Sequence, residues 1–243
     1  WGGELLLCRF ETFERLATLR AIPLAGGDAA IREPWRIALA LLEDAFPEGP
    51  PLDRLPLFGN VEEHALGAVR RMLRNGFPLP RARGVGRYFD GFGSLFLARP
   101  FSRHEGQVAF AWNVAADPAE GGVYPYAVDR SVSPPELDLR PAVRAAVHDS
   151  LSGASPGTIS RRFHETLAQG TAALVREAAR RTGDLPVVLT GGCFQNPLLT
   201  ERVLSGLEGL RVLLHRRVPP GDGGLALGQA AVAAASAKES GGA

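Results

Sequence analysis

The sequence predicts an α/β fold, and three observations lead there. Of the 243 residues, 45% are hydrophobic, enough to bury a substantial core, and the chain length suits one large domain or two lobes. Short apolar runs bounded by glycine and proline recur as strand signals at both ends of the chain. The last seventy or so residues alternate strand, helix, strand and helix, the pattern of a parallel-type lobe.

The elements follow in order. Glu4–Phe10 is an apolar run entered through the Gly2-Gly3 turn and reads as a buried strand, with a second strand over Ala17–Pro23. Gly26-Gly27-Asp28 leads into a helix whose segment Trp35–Leu42 is apolar at helical spacing, and the proline-rich stretch Pro47–Pro56 is a connection. Val61–Asn75 predicts an amphipathic helix, with Val61, Ala65, Ala68, Val69 and Met72 inward and Arg70, Arg71 and Arg74 outward; Gly76 ends it. Gly86–Phe96 is an aromatic-rich helix weakened by Gly91 and Gly93. Asp117–Pro135 reads as a surface excursion with one strand at Val123–Val128, and Pro141–Leu151 and Thr158–Arg181 as helices. Leu185–Leu189 and Leu210–His215 are strands, Pro197–Leu207 and Gly223–Ala235 helices, and the tail from Ser236 should fray.

Several functions are excluded or demoted by composition. Lys plus Arg (27) against Asp plus Glu (26) leaves a net charge of +1, so no global field draws the chain to nucleic acid or an anionic membrane. No apolar run approaches the roughly 20 residues that span a bilayer. Cys8 and Cys193 are isolated and form neither a disulfide framework nor a zinc ribbon, which suits a reducing, cytoplasmic setting. The five histidines show no metal-binding spacing. The numbering opens at Trp1 and the only methionine is Met72, so a front part of the chain is expected to be missing.

Two loops carry the chemistry. Thr190-Gly191-Gly192-Cys193-Phe194-Gln195-Asn196 lies between a strand and a helix, where unpaired N–H groups and the helix dipole favour phosphate; glycines admit the ligand, and Asn196 could bond it or merely cap the helix. Val218-Pro219-Pro220-Gly221-Asp222-Gly223-Gly224 follows the next strand and places Asp222 at the same sheet edge, as a metal-binding carboxylate or a cap. Together they predict a nucleotide cleft. Asp90 could accept from a sugar hydroxyl or be a solvated helix residue, and Cys193 as a nucleophile is the weaker reading because no base lies near it in sequence.

The runs LPVVLTGGCFQNPLLTERVL (185–204) and RRVPPGDGGLALGQA (216–230) closely resemble the end of the hydrogenase maturation carbamoyltransferases of the HypF family. WGGELLL (1–7), LRAIPLAGGDAAIREPWR (19–36), GRYFD (86–90), EGQVA (105–109) and RRFHETLA (161–168) follow in the family's order. The resemblance implies an actin-like ATPase (ribonuclease H-like) fold, shared with threonylcarbamoyltransferases. In that reading 1–34 ends a partial first lobe, 35–156 is a helical and irregular insertion, and 157–243 is a largely complete second lobe. It also implies ATP, carbamoyl phosphate and a carbamoyl-adenylate between the lobes, a divalent metal (magnesium, with iron or zinc as alternatives), and transfer to the C-terminal cysteine of HypE. Position by position, it assigns Gly2, Gly3 and Glu4 (with Trp1) to the acyl-phosphate loop, and Asp90 and Gly106 to the nucleoside. Gly191, Gly192 and Asn196 go to the second phosphate loop and Asp222 to the metal, whose partner histidines lie upstream in the family. Pro80–Val85, Gly91 and Gly93 depart from the family pattern around the nucleoside. No catalytic residue is assigned, since the nucleophile belongs to the acceptor, and the chain by itself is expected to be inactive. A small-molecule O-carbamoyltransferase of the same superfamily and a nucleotide-binding or docking module are the alternatives.

Overall fold

The computed structural model describes residues 2–240; Trp1 lies outside the described residues, as does the end of the tail. Strands β1 (Glu4–Cys8) and β2 (Phe13–Leu19) form a hairpin. β2 then pairs in parallel with β6 (Glu136–Asp138), which pairs with β5 (Ala127–Asp129), giving the order β1-β2-β6-β5. A short ladder joins β3 (Ile22–Pro23) to β4 (Arg81–Ala82). β7 (Val187–Leu189) and β8 (Val212–Leu214) form a parallel pair.

Nine helices accompany them among the described residues. They are α1 (Ala29–Arg32), α2 (Trp35–Ala45), α3 (Glu63–Arg74), α4 (Val85–Phe96), α5 (Gln107–Ala115), α6 (Arg140–Leu151), α7 (Pro156–Thr182), α8 (Pro197–Gly206) and α9 (Leu225–Ser240). One core runs from Leu19 to Leu207, so the segments 1–34, 35–156 and 157–243 all contribute to it. The sequence WRIALALL buries α2 on several sides. Arg70 and Arg74 of α3 both bond the Glu43 carboxylate of α2 at 2.6 Å and hold that amphipathic helix against it.

The glycines that weaken α4 as an isolated helix are what let it pack. A Cβ on Gly91 would lie 2.5 Å from a Leu41 methyl of α2, and one on Gly93 2.9 Å from Val108 of α5. Close approach recovers more through burial than the roughly 1 kcal/mol propensity loss of each glycine. Phe89 and Phe92 then meet Phe163 of α7 with ring centroids 5.0 and 4.3 Å apart.

Other expectations need correction. The second strand is Phe13–Leu19, earlier than Ala17–Pro23, because its exposed half, Phe13-Glu14, pairs with β1 without burial. The strand expected at Val123–Val128 occupies Ala127–Asp129, where β6 supplies its partner. α5 and β6 had no expectation: α5 carries nearly uniform apolarity without helical periodicity, and three residues of β6 are too few to show alternation. α7 begins two residues early, at Pro156, because the Ser155 side chain accepts from the Thr158 N–H as a cap. α9 continues to Ser240 through residues expected to fray.

Candidate functional site

The two loops after β7 and β8 meet. Because these strands are parallel neighbours, their carboxyl ends release both loops on the same side. The Gly191 N–H donates to the Pro220 carbonyl at 2.7 Å, and the Thr190 hydroxyl to the same oxygen at 3.3 Å. His215 Nε2 lies 3.1 Å from the Thr190 hydroxyl. Gly221 sits against the turn Gly192–Gln195, where a Cβ would be 3.4 Å from the Gln195 amide. Asp222 opens the next turn, Asp222–Gly224, and its exposed side chain makes no cap bond there.

Asn196 makes one hydrogen bond from each end of its amide. Its Oδ1 accepts from the Leu199 N–H at 3.0 Å and caps α8. Its Nδ2 donates to His164 Nε2 at 2.9 Å, while His164 Nδ1 donates to the Ser160 carbonyl at 2.7 Å. This arrangement needs a neutral imidazole, and burial pushes the His164 pKa down to about 4. The sequence pattern did not single out His164. Its signal was its place beside Phe163 on the buried face of α7.

Asp90 and Gly106 form a second group. Gly106 caps α5 in the left-handed region at φ 73°, and the Asp90 carboxylate accepts from the Ala109 N–H one turn into that helix. Asp90 is buried, so it is not the solvated residue that its sequence alone allows. Arg87 pairs with it at 3.0 Å, yet desolvation outweighs that pairing and pushes its pKa up to about 6. Phe89, packed 5.0 Å from the His164 ring, links this group to the Asn196 chain.

Gly3 and Glu4 line a largely apolar cleft with Thr190 and Cys193, bringing the first glycine segment to the second loop. The Glu4 carboxylate is bonded by Arg15 and by the Gly2 N–H. Cys193 is half-buried, and burial pushes its thiol from 9.0 up to about 11, so it stays protonated at neutral pH and is a poor nucleophile. With a chromogenic disulfide reagent at pH 8, the exposed Cys8 should react in a fast phase and the half-buried Cys193 in a clearly slower one, since burial lowers both its access and its thiolate fraction. Two equally fast phases would show that the Cys193 thiol is open to solvent.

No group of three or more histidine, cysteine or acidic side chains among the described residues could hold a metal ion. Asp222 is a single carboxylate, too few donors for a divalent cation.

The architecture and its paired loops have known counterparts. Residues 1–229 match the family model described as "Carbamoyltransferase, Kae1-like Domain, second subdomain". A carbamoyltransferase HypF homolog of Cupriavidus necator is 37% identical over 249 residues, covering 96% of this chain and 61% of that protein. Carbamoyltransferase HypF of Rhodobacter capsulatus is 36% identical, covering 97% of this chain and 30% of its own length. The crystal structure of full-length HypF in a phosphate- and nucleotide-bound form superposes with a TM-score of 0.85 at 29% identity, covering 96% of this chain and 30% of that one. The structure of T. kodakarensis HypF gives 0.82 at 26% identity. This chain belongs to the HypF carbamoyltransferase family, and it spans 61% of the length of the first of these relatives and 30% of the second. No described helix is long and apolar enough to cross a membrane.

Proposed function

We propose that this chain is the acceptor-side part of a HypF-type carbamoyltransferase, acting within a longer polypeptide. Carbamoyl-adenylate made from carbamoyl phosphate and ATP would be held at the paired loops, and its carbamoyl group passed to the C-terminal cysteine of HypE. The observation that carries this reading is the Gly191–Pro220 bond, which puts both glycine loops at one end of a parallel strand pair. Strand ends of this kind bind nucleotides in open α/β sheets.

The chain's own groups fit distinct tasks in that reaction. The turn Gly192–Gln195 offers backbone beside the cleft to the phosphate and carbamoyl oxygens, where charge builds as the thiolate attacks. Asn196 braces that turn through its bonds to His164 and the Leu199 N–H, and its second amide hydrogen would remain for a ligand oxygen. Asp90 and the amino end of α5 at Gly106 would receive the nucleoside. Asp222 would give one ligand to a divalent cation whose other ligands come from outside these residues. The protonated Cys193 leaves the attacking sulfur to the acceptor.

The test is carbamoyl transfer from carbamoyl phosphate and ATP to a HypE tail by the full-length parent. Because the Asp222 side chain is exposed and outside the core, Asp222→Ala should leave the fold intact and lower transfer by about 10–100-fold, the usual loss when a metal's surroundings are damaged. Unchanged transfer would remove Asp222 from the site.

A further inference from the structure

A one-way chain of hydrogen bonds ends on Asn196. The Ser160 hydroxyl donates to the Trp112 carbonyl of α5 at 2.6 Å, so it has no hydrogen left for His164 Nδ1, 3.5 Å away. Nδ1 therefore carries the ring proton, which goes to the Ser160 carbonyl, and Nε2 is bare. At the far end the Leu199 N–H can only donate, which fixes the Asn196 amide oxygen there and its nitrogen on His164. The surroundings keep the ring neutral. Ser160 and His164 are wholly buried, the Phe89 and Phe163 rings stand edge-on to the imidazole at 5.0 and 5.7 Å, and the nearby Arg161 disfavours a second positive charge. The Asn196 backbone is held separately: its N–H donates to the Cys193 carbonyl at 3.2 Å, and its carbonyl accepts from the Thr200 N–H at 3.1 Å. What His164 controls is the rotation of the amide.

We propose, on the carbamoyl-transfer reading above, that His164 is a positioning residue: it accepts one Asn196 amide hydrogen and so turns the other, which no described residue takes, toward the phosphate or carbamoyl oxygen at the paired loops. A bare Nε2 makes Asn196 a donor to that oxygen. A side chain without an acceptor in its place would let the amide rotate and present its own oxygen, which repels the ligand's.

Steady-state transfer to a HypE tail by the full-length parent tests this with two variants. His164→Phe keeps a buried ring without an acceptor, and His164→Gln can place an amide oxygen where Nε2 lies. His164→Phe should lower kcat by about tenfold or more at an unchanged KM for the tail, since the lost donor faces charge that builds during transfer. His164→Gln should stay within about threefold of wild type, because it restores the acceptor. Thermal melts of both variants separate this loss from unfolding. Heteronuclear spectra of the wild-type imidazole should show a protonated Nδ1 and a bare Nε2, and they decide the matter should His164→Phe fail to fold. Equal losses in the two folded variants, full activity of His164→Phe, or a proton on Nε2 would overturn the proposal. Absence of transfer by the wild type would instead overturn the carbamoyl-transfer reading, and this role of His164 with it.

Discussion

Replacing Gly3 by alanine should cost about 3 kcal/mol and lower the thermal midpoint by about 10 °C. Two costs add at this position. Gly3 adopts φ 63°, a region that an L side chain enters at about 1–2 kcal/mol. A methyl group there would also run into the Arg83 carbonyl and meet the Leu19 side chain, and neither the backbone nor a buried leucine yields freely. Gly27→Ala separates the two terms. Gly27 has φ 57° with nothing within 4 Å of the added carbon, so this variant should lose only about 1 kcal/mol. Equal losses in urea titrations of the two variants would show that crowding at Arg83 is absent. The Gly3 carbonyl also accepts from the Leu19 N–H at 2.7 Å beside the cleft that both residues line, so a shift of this backbone would disturb β2 as well.

The second large effect concerns pH. The unfolded His164 takes up a proton near pH 6.5, whereas the folded imidazole resists until about 4. The unfolded state therefore binds more protons as pH falls from 6.5 to 4, and His164 contributes a loss of about 3 kcal/mol over that window. Asp90 runs the other way. Its folded pKa of about 6 lies above the unfolded 3.8, so the folded state holds its proton longer, and about 3 kcal/mol is lost as pH rises through 3.8 to 6. Within pH 4–6 the two largely offset each other.

Single variants should uncover each slope. Relative to wild type, His164→Phe should lose stability with rising pH across this window, and Asp90→Asn should gain it. Subtracting the wild-type curve removes shared contributors such as Asp138, whose carboxylate Arg140 keeps below the ordinary range through hydrogen bonds that outweigh its burial. Parallel curves for wild type and both variants would show that neither group is held as described. His164→Phe also leaves the Ser160 carbonyl and Asn196 amide without their partner, so a pH-independent loss of roughly 1–3 kcal/mol should appear throughout.

Much of this protein was determined by the sequence itself. Local chemistry was enough to place Trp35–Leu42 in a helix, to read the strand, turn, helix and strand of 185–215, and to put Gly191-Gly192 and Asp222 in loops after neighbouring strands. Those signals are short-range: apolar spacing, glycine turns and helix starts. Only the tertiary structure decided how Gly91 and Gly93 serve α4, because the benefit comes from Leu41 and Val108 on other helices. It also decided that Asn196 is bound between α8 and His164, and that Asp90 is buried beside α5, since in each case the partner lies many residues away. β6 shows the same limit in the backbone, for its three residues become a strand through pairing with β2 and β5. A residue's local pattern reveals the element it favours, whereas desolvation and hydrogen-bond partners depend on which distant surfaces the fold brings against it.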